Sequence, residues 1–209
     1  IEMDVQITKD GVPVVFHDFT LERMCGKEGK VCDYTWQELK NLRLGNSRER
    51  IPLFSQALKT VGGAVPLIVE IKVEWTDLRI CPAADDLLRG YQGLYCVESF
   101  NPLVLLWYRR NHGEVVRGQL SDGFVKESGI RGSWHILILN FLLQNLLFNW
   151  LTKPDFVAYN HKYAEIPARR ICRRLYGNMA AAWTIKSQEE LERAGKQFDL
   201  FIFDSFLPK

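Results

Sequence analysis

The chain lacks a charge bias. Its 27 Lys and Arg stand against 25 Asp and Glu, leaving a net charge of +2 over 209 residues. Nucleic-acid binding is therefore not indicated, because it needs a clustered excess of basic residues. The densest basic run, Arg169-Arg170 with Arg173-Arg174, has the spacing of a solvated helix face. No Gly-x-Gly-x-x-Gly turn follows any expected strand and there is no P-loop, so the fingerprints of open-sheet nucleotide binders are missing. The five cysteines (Cys25, Cys32, Cys81, Cys96, Cys172) contain no Cys-x-x-Cys pair. An odd, scattered set fits a reducing, cytoplasmic compartment better than a disulfide scaffold. No signal peptide opens the sequence. An unbroken apolar run is also absent: the most apolar stretch, Trp134–Leu151, is interrupted by Asn140, Gln144, Asn145 and Asn149.

What is present is an ordinary globular composition, 47% hydrophobic and 25% charged, in a chain long enough for one large core. Apolar, β-rich runs at 1–8, 12–17, 65–72, 94–99, 115–120, 156–160, 181–185 and 200–204 read as strands. Helical patterns fit 35–42, 53–61, 84–89, 102–110, 136–151, 168–176 and 187–197, the last opened by a Ser187/Glu190 capping box. Strand–helix alternation with near-continuous apolar strands indicates a buried parallel sheet, in an open doubly wound form or a closed barrel. Polar residues recur at strand C-terminal ends (Glu70, Lys72, Ser99, Gln119, Asn160, Trp183, Thr184, Asp204), which favours the barrel, whose active site collects groups at that face. The amides of 134–151 form one helical stripe. They suit a barrel-wrapping helix, with a peripheral membrane contact as the second reading.

The chemistry gathers at the start. Period-2 alternation puts Glu2 and Asp4 on one strand face, where they either repel each other or share a cation. Asp10-Gly11 supplies a turn with positive φ, folding Val12–Phe16 back and returning His17-Asp18 towards the carboxylates. In the run Ile68–Lys72, Glu70 and Lys72 share a face. Three convergent carboxylates suit a hard divalent cation, and without one they raise one another's pKa. Lys72 would partly neutralise them, or bind an anion.

These residues fall in an order that resembles the glycerophosphodiester phosphodiesterase family. The matching elements are Glu2-x-Asp4-Val5, Thr8-Lys9-Asp10-Gly11-x-Pro13-Val14-x-x-His17-Asp18-x-Thr20-Leu21-x-Arg23 and Gly29-x-Val31. They continue with Asp33-x-Thr35, Glu38-Leu39, Ile51-Pro52, Glu70-Ile71-Lys72, Glu98-Ser99-Phe100 and Trp183-Thr184.

The resemblance implies a (β/α)8 TIM barrel of the phosphodiesterase type, residues 1–209 forming a single domain. A small insertion after the second strand, residues 19–61, would cover the barrel mouth. It implies hydrolysis of glycerophosphodiesters to glycerol 3-phosphate and an alcohol. The expected cofactor is a divalent cation, Ca2+ or Mg2+, held by Glu2, Asp4 and Glu70. His17 would be one of two catalytic histidines, with Lys72, Phe100 and Trp183 as substrate-binding residues.

The family's opening His-Arg-Gly motif, which carries the other histidine, is not found here. The expectation is a barrel whose first βα unit, roughly 30 residues, precedes Ile1. Among the other histidines only His161 stands near a strand end. The family's Ile-Pro-x-Leu-x-Glu ends here in Gln56. Two further readings stay open: lysophospholipase D-like action on lipid diesters, which 134–151 would serve, and a truncated, non-catalytic barrel that acts as a binding module.

Overall fold

A computed structural model describes residues 1–125 and 134–209, in two compact units, Ile1–Trp107 and Tyr108–Lys209. The first unit carries β1 (Glu2–Ile7), β2 (Pro13–Val15), β3 (Leu67–Ile71) and β4 (Tyr95–Ser99) in the order β2-β1-β3-β4. β2 runs antiparallel to β1, and β1, β3 and β4 are parallel. The second unit carries β5 (Arg117–Ser121), β6 (Phe156–Asn160), β7 (Met179–Ile185) and β8 (Leu200–Phe203), parallel and in sequence order. All eight expected strands are therefore found.

The β1–β2 hairpin follows from its turn. Gly11 sits at φ 84°, which a side chain rarely tolerates. The Thr8 hydroxyl donates to Asp10 Oδ1 at 2.6 Å and accepts from the Val12 amide at 2.9 Å. Asp10 Oδ1 also accepts from the Trp36 amide at 2.9 Å, tying the turn to the segment beyond β2.

That segment builds its own core, in which Val14, Phe16, Leu21, Val31, Leu39 and Ile51 are buried together. Its helices are short: α1 (Glu22–Cys25), α2 (Trp36–Leu39) and α3 (Phe54–Val61). The helix expected over 35–42 thus stops three residues early. A single turn is stable there because Glu38 reaches back to the Thr35 amide at 2.8 Å. Gln56 accepts from the Leu53 amide at 3.2 Å, so the residue that replaces the family's glutamate caps α3.

Between β3 and β4 runs α4 (Ile80–Arg89), four residues longer at its start than the pattern indicated, and α5 (Pro102–Asn111) follows β4. The second unit's core holds Leu146, Val157, Tyr159, Ile166, Cys172, Ala182, Ile185 and Phe198. Its last two helices are α8 (Pro167–Tyr176) and α9 (Gln188–Ala194). Ser187 caps α9 by accepting from the Glu190 amide at 3.2 Å, while Glu190 reaches Lys186 N rather than Ser187 N.

Two expectations in this unit need correction. The helix expected over 136–151 is two helices, α6 (Trp134–Gln144) and α7 (Asn149–Thr152). The chain turns between them at Leu146, φ 56°, which delivers that side chain to the core. Two of the four amides in the stripe face inward. Gln144 and Asn149 are buried, Gln144 accepting from the Val125 amide at 2.9 Å, whereas Trp134, Ile136, Ile138 and Phe141 are exposed. Arg169 is likewise not on a solvated face. It is buried, stacks 4.4 Å from the Phe198 ring and donates to Ala164 O and to Gln197. All five cysteines are free thiols.

Candidate active site

The parallel register decides which acids meet. Asp4 pairs with Glu70 across β1 and β3, and Glu70 pairs with Glu98 across β3 and β4. Aligned residues of parallel neighbours point to the same face, so three carboxylates stand in one row, with Glu2 on the Asp4 side. Glu2, Asp4 and Glu70 can each offer an oxygen within 4.8 Å of the others. Lys72 Nζ lies 2.8 Å from Asp4 Oδ1 and 3.1 Å from Glu70 Oε1, and all three side chains are largely buried.

One ammonium does not balance this set. Burial, then the neighbouring Asp4, raises Glu2 to about 7. Glu70 is raised to about 7, again by burial first, with Asp4 adding to the shift and Lys72 opposing it. Burial alone would lower Lys72, but Glu70 and Asp4 together hold it above its ordinary value. Glu98 is pushed well up, by burial and then by Glu70, Glu2 and Asp4. Glu98 is 1% exposed, and its Oε2 has no hydrogen-bond partner among the described residues; nor has Glu2 Oε1. Anionic oxygens that converge and lack donors are what a hard divalent cation binds, so the residues present fit one.

His17 lies just beyond β2. The Phe16 amide donates to Asp4 O at 3.0 Å, which sets the imidazole's backbone beside the acid-bearing end of β1. Gln6 Nε2 donates to both Phe16 O and Asp18 O, each at 2.7 Å, and so clamps the backbone on either side of His17. The ring is exposed, with Nδ1 2.7 Å from Asp18 Oδ1. Asp18 is lowered to about 2, chiefly by its bonds to Arg23 at 2.6 and 2.8 Å. An ionised carboxylate only accepts. Nδ1 is therefore the donor, and in the neutral ring Nε2 is left with the free lone pair.

Of the remaining expected residues, Phe100 directly follows β4 in the first unit, half-buried. Trp183 belongs to the second unit, on β7 opposite Asn160 of β6. His161 is in that unit too, on the turn after β6, 3.7 Å from Glu190, and burial lowers its pKa.

Glu98 and Gln6 were not among the expected site residues. Glu98 carried a usable signal, since it stands four positions into its strand as Glu70 does in its own. Gln6 carried none, because its partners are backbone carbonyls.

Solved structures place this architecture. A phosphodiesterase of Oleispira antarctica, solved in complex with the product sn-glycerol-3-phosphate, superposes with a TM-score of 0.76 at 21% identity, covering 97% of this chain and 79% of that one. The fold is that of the (β/α)8 barrels, in their phosphodiesterase form. Residues 1–197 match the glycerophosphoryl diester phosphodiesterase family, and the chain belongs to it.

A glycerophosphodiester phosphodiesterase of Caldanaerobacter subterraneus is 27% identical over 92% of this chain and 76% of its own length. The glycerophosphodiester phosphodiesterase 1 of Bos taurus is 35% identical over 91% of this chain and 64% of its own length.

Proposed function

We propose that the protein hydrolyses glycerophosphodiesters to glycerol 3-phosphate and an alcohol, using a divalent cation, Ca2+ or Mg2+, held by Glu2, Asp4 and Glu70. The observation that carries this reading is the carboxylate trio with one shared lysine, beside an imidazole anchored by an ionised aspartate. The family membership and the names of its relatives support the same reaction. When bound, the cation would supply positive charge for the non-bridging phosphate oxygens.

The chain's own residues do the rest. Lys72 adds a second positive charge at the same place, stabilising the anion as negative charge grows. His17 acts through Nε2 as a general acid or base, with its other nitrogen held by Asp18. Phe100, directly after β4, contacts the substrate. Residues 19–61 cover one side of the site, and the free thiols suit a cytoplasmic setting.

The test is release of glycerol 3-phosphate by the full-length protein. Activity should vanish with EDTA and return with Ca2+ or Mg2+. Unchanged turnover in EDTA overturns the cation-dependent reading.

One observation favours a second reading. Trp134, Ile136, Ile138 and Phe141 of α6 are exposed, and among the described residues no helix is long and apolar enough to cross a membrane. A helix of this kind suits contact with a lipid surface and a lysophospholipid substrate. Comparing glycerophosphocholine with lysophosphatidylcholine, with and without vesicles, separates the two.

A further inference from the structure

Beside Lys72 lies a cavity of about 160 Å³ that hydrolysis itself does not require. Its lining includes Gln6, Phe19, Lys30, Lys72, Glu74 and Trp75. Pockets for drug-sized ligands run to roughly 300–1,000 Å³, so this one suits a group of a few heavy atoms. It reaches the candidate site through Lys72, whose ammonium lies 5.7 Å from the centre of the Phe19 ring.

Two aromatic side chains are spent here without being buried. Phe19 is 43% exposed and Trp75 73% exposed. Trp75 also holds φ at 57°, a left-handed conformation that is an outlier for a bulky residue. Asn101 Nδ2 donates to its carbonyl at 2.7 Å and helps to hold it there. Strain at an exposed aromatic is not repaid by core packing, which points to a role in binding.

The charges on the pocket wall are already matched. Lys30 Nζ is 2.5 Å from Glu74 Oε2, Asp77 is held by Arg79 at 2.7 Å, and Lys72 by Asp4 and Glu70. The aromatic surfaces on the wall are Phe19, with the Lys72 ammonium 5.7 Å from its ring centre, and Trp75. A polyhydroxylated group such as glycerol would find few partners on them, whereas a quaternary ammonium binds such faces through the ring quadrupole.

We propose that Phe19 and Trp75 form the subsite for the leaving alcohol and select diesters whose alcohol carries a quaternary ammonium group. This rests on the phosphodiesterase reading above. Trp75 and Phe19 are specificity-determining residues, and neither takes part in the proton transfers.

The test compares three diesters of glycerol phosphate in the full-length protein, with choline, with its uncharged isostere 3,3-dimethylbutanol, and with a second glycerol as the alcohol. Wild type should favour the choline ester over its isostere. Trp75→Ala and Phe19→Ala should each lower kcat/KM for the choline ester roughly 3- to 30-fold, through KM. Turnover of the bis-glycerol diester should be unchanged, and Trp75→Phe should retain the preference. An equal loss on all three diesters assigns the pocket to the common glycerol and overturns the proposal, as does no loss on any.

Calorimetric titration with tetramethylammonium reads the same subsite without turnover. Binding that is lost in the Phe19→Ala/Trp75→Ala double variant supports the proposal, and no binding to wild type overturns it. Failure to hydrolyse any diester while tetramethylammonium still binds overturns the phosphodiesterase reading instead.

Discussion

Asp4 and Glu70 stand side by side in register on β1 and β3 and share one ammonium, Lys72 Nζ, at 2.8 and 3.1 Å. The lysine compensates at most one of the carboxylates gathered there. This imbalance governs both the stability of the site and its affinity for a cation.

Removing the shared charge leaves buried carboxylates without a partner. Lys72→Met should destabilise the cation-free protein by about 3–5 kcal/mol, the usual result of breaking one side of a buried pair. A divalent cation at 100 times its Kd should return about 2.7 kcal/mol of that loss. Urea unfolding with and without Ca2+ checks both figures.

The raised acids set a pH dependence. Glu2 and Glu70 keep their protons to about 7 when folded, against an ordinary value of 4.5, and Glu98 keeps its proton well above that value. Their contribution to stability is full below about 4.5, where both states are protonated. It is lost as pH rises through about 7 and the folded acids give up their protons. In EDTA, the unfolding free energy should therefore fall between pH 5 and pH 8. Saturating Ca2+ should flatten the fall, and so should Glu98→Gln in part. A thermal-melt series at fixed ionic strength reads this, at about 2–4 °C per kcal/mol for a chain of this size.

His17→Ala should lower kcat at least about a hundredfold, the minimum usual for a general acid or base. Asp18→Asn should lose less, because the imidazole remains but its Nδ1 partner no longer carries a charge. Steady-state glycerol 3-phosphate release measures both. Full activity in His17→Ala would remove it from the mechanism.

Gln6→Leu is expected to lower kcat while leaving cation affinity close to wild type. It removes two hydrogen bonds that hold the backbone around His17 and touches none of the carboxylates named as ligands. Terbium luminescence titration, set beside the kinetics, distinguishes this from a general loss of fold.

Much of the site was legible because it is local. Glu2 and Asp4 share a face through strand alternation, and Asp10-Gly11 dictates the turn that returns His17. Glu70 and Lys72 announce themselves by the same alternation. Glu98 carries the same positional signal in its strand, but its place beside Glu70 depends on the register between β3 and β4, a relation between segments 28 residues apart. The apolar run at 134–151 was only partly legible for a related reason. Periodicity shows which residues share a stripe but not which stripe faces inward, and Gln144 is buried because the Val125 amide needs an acceptor.

The sequence by itself determined the succession of strands along the chain, the hairpin and the acids on their faces, since each depends on backbone preference and side-chain alternation within a short segment; the family was legible as a resemblance in the order of motifs from Glu2 to Thr184. Only the tertiary structure decided that Asp4, Glu70 and Glu98 form one row, that Arg169 is interior, and that Phe19 and Trp75 line one pocket. These depend on register and packing between distant segments, where the free energy of burial selects among arrangements that local preference leaves equal.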